Sequence, residues 1–228
     1  MMYKKILTFS SLALFLCACY DNKTSFEYTP KDRSELVALL QDENISLDKI
    51  NTSNIKDMSF LFAKFTKENC QMQFKDHDVE NCKYNAQERI NFNGIEKWNM
   101  ANVENASYMF AGLVDFDKNI TNWNVSKLKN AKGMFYFTSE FNQNLNNWDV
   151  SNVTNMQEMF KGAGKFNQNL NNWDVSNVTN MQEMFAFAGD FNQDLNSWKV
   201  LQDANTTDMF KYTPLEDHLP KWYKTQNL

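Results

Sequence analysis

The side chains best suited to chemistry are few and scattered. One run, Asp76, His77, Asp78 and Glu80, gathers several candidate ligands, and carboxylates suit hard cations. It lacks the glycine and the closing glutamate of a calcium-binding loop, so it reads as a solvated loop. His77 and His218 lie far apart, and neither sits in an HExxH-type spacing. No GxSxG, GxGxxG or phosphate-loop string occurs. The spacing predicts no catalytic residue, no metal site and no cofactor: a protein that is not an enzyme.

The cysteines carry a different message. Basic MMYKK is followed by apolar ILTFSSLALFL, too short to span a bilayer, and then by Leu16-Cys17-Ala18-Cys19. A small residue before Cys19 is the pattern of a bacterial lipoprotein signal. Cys17 fits it less well, because Leu16 would then precede the cut. The reading is a signal peptide over 1–18, lipidation at Cys19 and a polar tether over 19–29. Acyl chains on Cys19 would hold the mature chain at a membrane of the bacterial envelope, with the outer membrane or cell surface expected. Cys70 and Cys82 remain. In an exported protein they are expected to form a disulfide.

The chain has 228 residues and a net charge of -5. No basic stripe is available to neutralise phosphates, which argues against nucleic acid. Hydrophobic content of 43% allows a sizeable core, in one domain.

What positions any surface is a repeat. FNQNLNNWDVSNVTNMQEMF occupies 141–160 and recurs unchanged at 166–185. Trp98, Trp123, Trp148, Trp173 and Trp198 stand 25 residues apart, and the Met-Phe pair ending at Phe110, Phe135, Phe160, Phe185 and Phe210 keeps the same step. A fixed period of roughly 20–50 residues marks a stacked repeat architecture. A worn copy, INTSNIKDMSFLF, lies upstream, with Ile50, Ile55 and Phe62 in the places of Trp148, Val153 and Phe160.

Within one copy, Leu145, Trp148 and Val150 alternate with polar residues, which predicts a short strand. Val153, Met156, Met159 and Phe160 follow at helical spacing. The expected fold class is therefore α/β: a right-handed repeat solenoid, leucine-rich-repeat-like, with one short parallel strand and one short helix per 25-residue coil. Like side chains should stack at about 4.8 Å per coil. An N-terminal capping helix is expected within 30–47, started by Thr29, Pro30 and Asp32. The repeats should fill 48–213, with a disulfide-containing insertion over 63–91 and a C-terminal cap over 214–228.

Two surfaces stand out. The five tryptophans could form a sugar or choline platform, but each shares a face with apolar rows, so they read as a structural ladder in the core. The polar residues of the expected strand form rows: Asn122, Asn147, Asn172 and Ser197, beside Asn124, Asp149, Asp174 and Lys199. They make a flat amide and carboxylate face that serves either partner binding or solubility. The Asn-x-Ser/Thr triplets, such as Asn152-Val153-Thr154, are by-products of an asparagine-rich repeat.

The repeat, the helix before INTSNIKDMSFLF and the terminal PKWYK together resemble the BspA-like leucine-rich-repeat surface lipoproteins. The resemblance covers about residues 30–228. It implies surface exposure and a role in adhesion or host-protein binding, with an unidentified protein or glycan partner on the strand face or the 63–91 loop. The other reading is a structural or spacer lipoprotein without a specific ligand.

Overall fold

The structure is a computed structural model that describes residues 26–226, apart from the side chains of Asp76, His77 and 224–226. The signal over 1–18, Cys19 and most of the tether lie outside the described residues. The helices are α1 (Arg33–Leu40), α2 (Lys67–Gln73), α3 (Asp76–Lys83) and α4 (Lys221–Gln226), with short 3-10 turns at Leu47–Lys49, Ile95–Lys97 and Pro214–His218. The coils of the repeat contain no α-helix and no extended strand among the described residues. Isolated parallel bridges run from Asp57 to Asn105 and then down the asparagine column: Asn105, Asn130, Asn155, Asn180, Asn205.

The expected α/β solenoid of leucine-rich-repeat type is therefore not what this chain forms, and both expected elements fail for physical reasons. At the expected strand, the Leu145 carbonyl accepts the Trp148 N–H at 3.0 Å, closing a turn. It also accepts the Trp173 indole N–H at 2.8 Å. The coils are thus joined here by indoles and not by a backbone ladder. At the expected helix, the amides alternate. Met156, Glu158, Phe160 and Gly162 donate to Asn180, Gln182, Met184 and Ala186 of the next coil at 2.8–2.9 Å. Met159, Lys161 and Ala163 donate three residues back, to Met156, Glu158 and Phe160, at 3.0–3.1 Å. The result is a run of consecutive turns whose outward amides stitch coil to coil.

Such turns need left-handed residues, which an α-helix excludes. Tyr108, Gly133, Glu158, Glu183 and Asp208 form one column with φ of 54–57°, and Gly112, Phe137, Gly162, Phe187 and Tyr212 form another with φ of 51–75°. Asn155 adds a competing interaction, its side-chain oxygen accepting the Gln157 N–H at 3.0 Å.

The core consists of columns. Phe110, Phe135, Phe160, Phe185 and Phe210 stack face to face with centroids 5.5–6.0 Å apart. Phe116, Phe141, Phe166 and Phe191 form a second stack at 6.0–6.1 Å. Both spacings exceed the 4.8 Å expected for paired strands, consistent with offset rings. Trp123 and Trp148 stack at 6.3 Å, and Trp173, Trp198 and Trp222 continue at 6.4 Å. The indole N–H groups of Trp98, Trp123, Trp148, Trp173, Trp198 and Trp222 donate to Leu47, Ile95, Ile120, Leu145, Leu170 and Leu195. Trp222, in α4, carries the column past the last repeat.

The N-terminal end is closed by α1 and by the insertion. Asp32, not Thr29, caps α1, its carboxylate accepting the Glu35 N–H at 3.0 Å, so the helix begins later than the proline suggests. The first turn ladder has carbonyls with no earlier coil to meet them. Arg33 donates to Ser59 C=O at 2.9 and 3.2 Å. The Ala86 N–H takes Leu61 C=O at 2.8 Å, and the Asn85 amide takes Ala63 C=O at 3.1 Å. The insertion thus caps the acceptor edge of the stack. Cys70 of α2 and Cys82 of α3 are disulfide-bonded and buried, fixing the two helices together.

Candidate functional site: the lateral surface

The eight polar residues singled out in the sequence, Asn122, Asn124, Asn147, Asp149, Asn172, Asp174, Ser197 and Lys199, are all exposed. Several already serve their own turns. Asn124, Asp149 and Asp174 each accept the N–H of the serine two residues on, at 3.0–3.1 Å. The bonds from the Ser176 hydroxyl and amide hold the Asp174 carboxyl below its ordinary range. The face is accessible, but much of its acceptor capacity is spent locally. All five tryptophans of the ladder are buried.

Among the described residues no group of three or more His, Cys, Asp or Glu is gathered as a metal would require. No described helix is long and apolar enough to cross a membrane.

A second surface was not legible as such: the outer side of the turn ladder. Phe137, Phe187 and Tyr212 are left-handed and yet 43%, 47% and 61% exposed. A left-handed backbone costs a non-glycine residue about 1 kcal/mol. Exposing a large ring forgoes the gain of burial as well. The three lie in one column with Gly112 and Gly162; Gly162 makes room for the Phe137 ring, while the rings of Phe187 and Tyr212 meet each other with centroids 4.7 Å apart. A Cβ on Gly162 would lie 2.7 Å from the Phe137 ring. In the neighbouring column a Cβ on Gly133 would lie 2.2 Å from the Tyr108 ring. That gap lets Tyr108 cross a whole coil, its hydroxyl donating to the Glu158 carboxylate at 2.8 Å.

Lysines lie over three tyrosine rings, of which Tyr212 belongs to the exposed column. Lys132 lies 5.7 Å over Tyr108, Lys161 lies 5.9 Å over Tyr136, and Lys211 lies 5.8 Å over Tyr212. Lys161 also pairs with Glu158 and Glu183. Burial works against its charge, but the bond to Glu183 and the fields of both carboxylates outweigh it and raise its pKa. Burial, with Glu158 beside it, pushes the Tyr108 hydroxyl well above the ordinary tyrosine range. Burial likewise raises Tyr136.

The raised Lys161 and Tyr108 favour the folded state fully below their unfolded pKa values, and that stability is lost as pH rises past about 10. Alkaline titration should show Tyr108 ionising only with unfolding, seen as tyrosinate absorbance rising together with loss of near-ultraviolet circular dichroism. Tyr108→Phe should shift that unfolding to higher pH.

The arrangement is that of a stacked-coil repeat protein with a patterned lateral surface. The chain belongs to the family described as "Mycoplasma protein of unknown function, DUF285", whose model matches residues 32–146 and 115–222. The chain matches neither a curated protein nor a solved structure.

Proposed function

We propose that this protein is a non-catalytic binding scaffold, held to the bacterial envelope through a lipid on Cys19 and displaying its lateral surface to a protein or glycan partner. The observation that carries the reading is the exposed aromatic column, Phe137, Phe187 and Tyr212, kept at positions where glycine would be easier for the backbone. Exposed aromatic rings are enriched in recognition surfaces, and one of these three, Tyr212, has the Lys211 ammonium 5.8 Å over it. Strained positions that persist on a surface point the same way. The lipoprotein-like start and the resemblance to BspA-like surface lipoproteins support display outside the cell. The second reading, a spacer lipoprotein, is favoured by the amide rows, whose bonds are largely internal.

The test uses disulfide-intact protein, immobilised and exposed to purified matrix proteins and glycans. The reading expects binding that a triple Phe137→Ser, Phe187→Ser, Tyr212→Ser variant loses by about thirtyfold or more, the loss of one hot-spot residue. Loss instead on Asp149→Lys with Asp174→Lys moves the site to the amide rows. Absence of binding across both panels favours the spacer.

A further inference from the structure

The first seam between coils differs from those after it. Beyond the phenylalanine columns, later seams are closed by one backbone bond each: Glu140 N–H to Val114 C=O at 3.0 Å, Lys165 N–H to Ser139 C=O at 2.9 Å, and Asp190 N–H to Gly164 C=O at 2.9 Å. Counted from Phe92 and Phe116, the same pair at the first seam is Asp115 N–H and Ile90 C=O. That bond is not made. The Ile90 and Asn91 N–H groups turn to the Glu43 carboxylate, at 2.7 and 3.1 Å. Asp115 N–H and Ile90 C=O have no protein partner among the described residues.

A cleft of about 520 Å³ occupies the seam. Its floor is apolar, from Phe92, Leu113 and Phe116, and its lips are Ile90 and Val114, 79% and 52% exposed. Lys64 and Lys118 stand at the rim, bonded to the Gln87 carbonyl and the Asn93 amide oxygen and, among the described residues, to no carboxylate. Arg89, also at the rim, is committed to the carbonyls of Leu40, Asp42, Ile45 and Asn91. Asp115 is the single acidic residue among those lining the cleft.

We propose that the open seam binds the C-terminal end of a peptide chain: a short backbone segment with an apolar side chain and a free carboxylate. The unmade bond leaves one donor and one acceptor on residues that line the cleft, which is what another backbone amide complements. The apolar floor takes a side chain, and the two rim lysines attract the carboxylate. The volume lies within the roughly 300–1,000 Å³ of small-ligand sites. A fatty carboxylate would meet the floor and the lysines, but it would leave the Ile90 carbonyl without a donor.

The probes are N-acetyl-Ala-Leu-Phe with a free carboxylate, the same peptide amidated, and decanoate, added to the disulfide-intact protein and followed by nuclear magnetic resonance. The expected result is saturable shifts at the Asp115 amide and the Ile90 and Val114 methyls with the free-acid peptide. Amidation should weaken binding about tenfold, as loss of one charge-assisted contact does. Lys118→Glu and Val114→Glu, both at exposed positions, should each weaken it similarly without lowering the unfolding midpoint. The Phe137, Phe187, Tyr212 triple variant should bind the peptide as well as the parent does, which separates this site from the aromatic column. No shift at Asp115, Ile90 and Val114 at millimolar peptide overturns the proposal. So does decanoate binding as tightly as the peptide, which would make the cleft a lipid carboxylate site.

Discussion

Replacing Phe160 with alanine should remove about 3–5 kcal/mol of stability, the range for deleting a fully buried phenylalanine. The ring has partners on every side. It stacks on Phe135 at 5.5 Å and Phe185 at 5.6 Å, meets Phe166 of the same face at 4.1 Å, and lies 6.2 Å from Trp173. Neighbouring coils cannot close the gap, because the outward amides on either side hold their separation. The loss should appear as a lower midpoint in chemical denaturation. Phe187→Ala is the control, since that ring is nearly half exposed and its removal should cost far less. Equal losses at the two positions would mean that the columns are not where the stability resides.

The second large effect is expected at the N-terminal cap. Arg33 donates to Ser59 C=O through two nitrogens and to the carbonyls of Asn81 and Tyr84 at 3.0 Å each. It therefore ties α1, the first turn ladder and the end of α3 to one planar group. Burial lowers its pKa, while Asp57 works the other way and supports the charge. Arg33→Ala removes these charge-assisted bonds at a half-buried cap and should cost about 2–4 kcal/mol. Lysine should restore only part of it, because one ammonium cannot span the three acceptors. The loosened variant also uncovers the acceptor edge of the first coil, and open edges recruit other chains. Its denaturation midpoint should fall, and light scattering should rise with protein concentration. A variant as stable and as monomeric as the parent would show that the edge needs no cap.

Much of the architecture was readable from residues alone, because a period survives whatever shape a coil takes. The columns of Trp98 to Trp198 and of Phe110 to Phe210 follow from equal spacing, whether the coil is made of strands, helices or turns. The shape of the coil was not readable. Val153, Met156, Met159 and Phe160 recur at three and four residues, and consecutive turns bring the chain back to one side at that same interval. Leu145, Trp148 and Val150 alternate as a strand would, yet the polar partner of each indole is a carbonyl of the previous coil and not a strand neighbour. One signal was available and pointed to turns. Read down the columns, Gly133 shares a place with Tyr108 and Glu158, and Gly112 and Gly162 share one with Phe137 and Phe187. Glycine recurring in a column marks a left-handed position even where a bulky residue fills it in another copy. The same reading separates Phe137 and Phe187 from the core phenylalanines, whose columns contain no glycine.

Amide hydrogen exchange on the second full coil, whose sequence is unique, tests the stacked-turn account most directly. The amides of Ala131, Gly133, Phe135 and Phe137 donate across the seam at 2.7–2.9 Å and should exchange slowly. Those of Asn122, Asn124 and Val125, on the expected strand, make no backbone bond among the described residues and should exchange fast. Slow exchange at 122–125 together with fast exchange at 131–137 would place the lateral bonding in a strand and contradict the account.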